Sequence, residues 1–136
     1  MINWFGKKNK KNENPMDEME QYILEVEQQI ASIQGKMQSQ LVEEKQLKGL
    51  LDEYLVEIQK LEKYEKIAKE REDLQGSMLY QNKREELVEL QKQRTKEYEK
   101  IKMEIEENQN LLEEIYRNIE QLKVVKNTLE NGLSNE

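Results

Sequence analysis

From Met16 to Leu133 the chain has no proline, and apolar side chains recur in alternating steps of four and three residues. The first series runs Ile23, Val26, Ile30, Ile33, Met37. It falters at Gln40 and Glu44, where Leu41 lies beside the stripe. It resumes at Leu47, Leu51, Tyr54, Ile58 and Leu61 and reaches Ala68. A second series runs Tyr98, Ile101, Ile105, Leu112, Ile115, Ile119, Leu122 and Leu129, with polar Asn108 and Lys126 in step. A repeat of about 3.5 residues sustained this long is the signature of a coiled coil. Glu, Lys, Gln and Leu, all good helix formers, dominate the same stretch.

Between the two series the pattern loosens, and residues 70–77 gather the breakers. Asp73 and Ser77 are both suited to cap a new helix, and Gly76 costs a helix about 1 kcal/mol relative to Ala. Two arrangements compete. A single helix over residues 16–133 would extend roughly 177 Å at ~1.5 Å per residue. A chain folded back at residues 70–77 buries both stripes against each other. The expectation is therefore all-α: a long antiparallel helical hairpin of coiled-coil type with little or no globular core. Its helices are placed at about residues 16–70 and 78–132. Polar Gln40, Glu44 and Asn108 then sit in the seam, where such residues fix register. Gly35 and Gly49 are read as weak points of the first helix rather than sites of close helix approach.

Residues 1–15 differ from the rest. They hold the only Trp, Phe and Pro of the chain. Lys7, Lys8, Lys10 and Lys11 give residues 1–12 a charge of +4, which leaves −11 elsewhere in a chain of net charge −7. Asn14 and Pro15 suit the N-cap and first position of the helix that follows. Ile2, Trp4 and Phe5 beside the four lysines suit a membrane interface, since Trp favours the headgroup level and lysines are drawn to anionic lipid. These seven residues are the candidate membrane contact.

Composition narrows the chemistry. There is no Cys and no His, which removes thiolate nucleophiles, disulfides and the commonest general base and metal ligand. No phosphate-binding loop or nucleotide fingerprint is present. The acidic body and short basic segment, without interleaved aromatics, argue against nucleic acid. The expectation is a protein that is not an enzyme, uses no cofactor or metal and takes no small-molecule substrate. No apolar run approaches the ~18–20 residues of a spanning helix, and the apolar start is too short for a signal peptide. The expected location is cytoplasmic.

Three stretches carry a resemblance. Asn14-Pro15 followed by Asp17-Glu18-Met19-Glu20-Gln21-Tyr22-Ile23 is similar to the lead-in "DPEKMLEQYI" of the phage-shock-protein A family. That family includes the vesicle-inducing protein of plastids and is related to the ESCRT-III membrane-remodelling proteins. Glu43-Glu44-Lys45 with Leu47 resembles its "DEKRL" segment. Ala68 through Lys83 resembles its turn motif, with Arg71-Glu72-Asp73-Leu74 and Leu79 matching position by position. Where the family has Gly before that motif, this chain has Glu70. The likeness covers the hairpin core, about residues 14–133. Beyond its hairpin the family has further helices that bridge subunits in rings and rods.

The resemblance implies a peripheral protein of the inner membrane face, active in membrane maintenance under envelope stress. It implies contact with anionic lipid through the N-terminal segment and self-association through hairpins, or association with a longer relative whose polymer it could limit. It also marks the turn residues Arg71, Glu72, Asp73, Leu74 and Leu79 as a candidate partner contact. The competing reading is a soluble coiled-coil scaffold that binds a protein partner without touching lipid.

Overall fold

A computed structural model describes residues 15–134, and the seven residues of the candidate membrane contact, like Asn14, lie outside them. Two long helices pack against each other as a hairpin: α1, Pro15–Glu70, and α2, Leu74–Ser134. No strand occurs among the described residues. Pro15 occupies the first helical position, where its missing N–H costs nothing. Asp17 and Glu18 in the first turn and Lys69 in the last complement the helix dipole.

The connection is shorter than the expected 70–77. It comprises residues 71–73, and α2 begins at Leu74 rather than near 78. The backbone shows why. The Asp73 N–H reaches back to the Ala68 carbonyl at 2.8 Å, and the Glu72 N–H to the Lys69 carbonyl at 3.1 Å. Glu72 takes the left-handed conformation, φ 57°. This is a Schellman stop, made here with Glu where glycine is usual. Glu70 itself stays helical, so the turn makes no demand for glycine there. One residue later the next helix is already capped. Asp73 Oδ1 accepts from the Gly76 N–H at 3.0 Å, and the Ser77 N–H donates to the Asp73 carbonyl at 3.0 Å. Of the two expected caps, Asp73 takes the role, and Ser77 is buried inside α2.

The hairpin divides into two compact units. In the unit of residues 39–105, α1 turns Gln40, Glu44, Leu47, Leu51, Tyr54, Ile58, Leu61, Glu65 and Ala68 inward, all buried or half-buried. Steps of four and three join them without interruption. Leu41 points outward, so the seam keeps Gln40 rather than slipping to its apolar neighbour. In α2 the same steps run Ser77, Tyr80, Arg84, Leu87, Gln91, Arg94, Tyr98, Ile101 and Ile105, again all buried or half-buried. The repeat that loosens in composition thus persists in geometry, with arginine and glutamine in place of leucine.

The other unit holds residues 15–38 and 106–134 of the described chain. Its seam is more apolar. Met19, Ile23, Val26, Ile30 and Met37 of α1 are buried, as are Leu112, Ile115 and Ile119 of α2. Val26 and Ile115 are each only 2% exposed, and burying a side chain of that size contributes about 1.5–3 kcal/mol. Two polar contacts flank this seam. Gln34 Nε2 donates to the Tyr116 hydroxyl at 2.9 Å, and Lys126 Nζ lies 3.1 Å from Glu20 Oε1.

Candidate interaction surfaces

Several polar groups inside the seam of the 39–105 unit have partners. Arg84 Nη2 donates to both carboxylate oxygens of Glu65, at 3.1 and 3.2 Å. The Glu65 side chain is 9% exposed, and Lys69 Nζ stands 3.8 Å from it. Gln40 Nε2 donates to Glu104 Oε2 at 3.2 Å. Arg94 is held above the usual arginine pKa, first by its hydrogen bond with Tyr54 and then by Glu97. The Nε atoms of Arg84 and Arg94 are buried with no hydrogen-bond partner. These two arginines, with Gln91, escaped the sequence reading. Counting back from Tyr98 in steps of three and four lands on them, and that spacing was the available signal.

The five marked residues lie at the turn and in the first two turns of α2. Arg71, Glu72 and Asp73 form the turn, Leu74 opens α2, and all are exposed. Leu74 is 75% exposed, and Leu79 is also exposed. Around them lie exposed Tyr64, Ile67 and Met78. Tyr64 packs its ring against Tyr80, centroids 5.5 Å apart and planes at 48°. Two of the marked residues have a local duty: Glu72 supplies the left-handed stop and Asp73 the cap. A Cβ at Gly76 would overlap the Asp73 carboxylate, so Gly76 belongs to the cap as well.

The outer side of α1 in the 39–105 unit carries apolar doublets. Leu41-Val42 and Leu55-Val56 are exposed, fourteen residues apart, with Gly49 midway. No atom lies within 4 Å of a Cβ built on Gly49 or on Gly35, so neither glycine serves close packing inside the hairpin. Single exposed apolar residues are ordinary; here an apolar doublet recurs on the same helix.

No group of three or more acidic residues among the described residues is placed to hold a metal ion. Surface grooves occur, one of about 380 Å³ lined by Glu20, Ile23, Leu24, Glu27, Lys123, Lys126 and Asn127, another of about 360 Å³ along Glu89–Lys96. The Tyr22 phenol is raised above its usual pKa by burial and then by Glu25. No helix among the described residues is long and apolar enough to cross a membrane. No family model, curated protein or solved structure matches the chain.

Proposed function

We propose that the chain is a non-enzymatic, peripheral membrane protein of the phage-shock-protein A type, serving membrane maintenance under envelope stress. Its N-terminal segment binds anionic lipid, and its hairpins associate with one another or with a longer relative. The observation that carries this reading is an adjacency. A +4 segment, residues 1–12 with Ile2, Trp4 and Phe5, lies two residues before Pro15, the first residue of a helix that continues unbroken to Glu70. Each lysine near an anionic surface is worth about 1 kcal/mol. Three interfacial apolar side chains add a few kcal/mol at most. The sum is weak, reversible attachment, which association of several hairpins would reinforce by avidity.

The test is Trp4 fluorescence during titration with anionic and neutral vesicles. The expected result is a blue shift with anionic vesicles that weakens as salt is added. An unchanged spectrum at high lipid removes the lipid half of the reading. A soluble scaffold then takes its place, a role favoured by the exposed doublets Leu41-Val42 and Leu55-Val56.

A further inference from the structure

We propose that the outer strip of α1 centred on Gly49 is the contact between two copies of this chain, paired antiparallel about a two-fold axis at Gly49. This deepens the self-association half of the reading above and is independent of lipid. Val42, Gly49 and Val56 follow one another at seven-residue intervals. Gly49 stands two residues from both Leu47 and Leu51 of the seam, about 200° round the helix, so this strip faces away from α2. Val42 is 56% and Val56 51% exposed. Nothing lies within 4 Å of a Cβ at Gly49, so the strip is lowest at its centre, where a second backbone can come close.

The occupant follows from symmetry and charge. A two-fold at Gly49 sets Val42 level with Val56 of the second copy, and Gly49 against Gly49. Lys45 and Asp52 are one heptad apart on the same edge of the strip. Both are exposed, and neither has an ion-pair partner among the described residues. The two-fold brings each Lys45 within one residue, about 1.5 Å of rise, of the other copy's Asp52. Two symmetric ion pairs then flank the valines. A parallel, in-register pair would carry the two Lys45 side chains to opposite edges and set each Asp52 within one residue of the other copy's Glu53. Like charges placed so are repulsive, which selects the antiparallel form.

The chain has no cysteine, so single-cysteine variants of the full chain report the geometry. Gly49→Cys, Val42→Cys and Val56→Cys are oxidised mildly, with helicity checked by circular dichroism and association by sedimentation velocity. Gly49→Cys is expected to cross-link with itself. Val42→Cys and Val56→Cys alone are expected to fail, because each is fourteen residues, roughly 21 Å, from its own copy. Mixed together, those two are expected to cross-link. Lys45→Asp weakens association at least ~10-fold, and adding Asp52→Lys restores it. Self-cross-linking by all three single variants overturns the antiparallel pairing while leaving self-association standing. Association undiminished by Lys45→Asp, without cross-linking at position 49, places the contact on another face and overturns the proposal. A monomer at every concentration overturns both this pairing and the self-association reading.

Discussion

At Glu72 an ordinary side chain is held at φ 57° so that α1 can stop and α2 can start within three residues. That conformation costs an L-residue about 1–2 kcal/mol relative to glycine, offset in part by the greater freedom of an unfolded glycine. Glu72→Gly is therefore expected to stabilise the chain by about 0.5–1 kcal/mol in urea denaturation. Two of the four helical glycines test the complementary rule. Gly35→Ala meets open space and is expected to gain about 1 kcal/mol from helix propensity. Gly76→Ala is expected to gain nothing, because its methyl displaces the Asp73 carboxylate and forfeits a cap worth about 1 kcal/mol. An equal gain at both sites would show that the cap is unimportant. The identity of the turn residues was readable in the chain. Their division of labour was not, because only backbone hydrogen bonding distinguishes a stop from a cap.

The same asymmetry applies to the ion pair of Glu65 and Arg84, buried far enough that removing one partner strands the other. Arg84→Leu is expected to cost about 2–3 kcal/mol, the penalty of a charged group losing its hydrogen bonds. The double variant Glu65→Leu with Arg84→Leu is expected to match or exceed the parent, since apolar replacement of a buried pair is often neutral or stabilising. A double-mutant cycle in urea measures both. A double variant as unstable as Arg84→Leu would mean that the pair itself holds this part of the seam.

At the scale of the helices, the seam is one repeat written in two alphabets. In α1 the repeat is mostly apolar, broken by Gln40, Glu44 and Glu65. In α2 it is mostly polar from Ser77 to Arg94, with Tyr80 and Leu87 the exceptions, and apolar from Ile101 to Leu122, apart from Asn108. Hydrophobic periodicity therefore found α1 and the second half of α2 but lost the thread through Arg84, Gln91 and Arg94. Propensity kept that stretch helical all the same, and the facing stripe of α1 kept it in register. Gln40→Leu with Glu44→Leu is expected to raise the melting temperature, because Gln40 is buried and Glu44 half-buried at seam positions. Glu104, which loses its partner Gln40, is only half-buried and can be hydrated. A clear fall in melting temperature would mean that the Gln40–Glu104 contact sets register rather than merely filling space.

For the molecule as a whole, charge separates the two roles proposed for it. A body of −11 is repelled by an anionic bilayer, while the +4 of residues 1–12 is attracted. Screening over about 8 Å at physiological salt confines that attraction to the segment itself. Replacing Lys7, Lys8, Lys10 and Lys11 by Gln is expected to abolish binding to anionic vesicles in co-sedimentation and to leave thermal stability unchanged. Retained binding would assign the contact to another surface. Loss of stability would instead tie the segment to the hairpin.

The chain by itself determined that this protein is helical, that its breakers gather at residues 70–77, and that it carries two apolar stripes able to meet in a seam. Spacing and propensity are local properties, and both are written residue by residue. Only the tertiary structure decided which of Asp73 and Ser77 caps α2, that Glu72 carries the left-handed turn, and that arginines occupy the seam. It also decided that Leu41 and Leu55 face outward with Val42 and Val56. Those outcomes depend on where the second helix lies, because burial and partnership are relations between residues far apart in the chain.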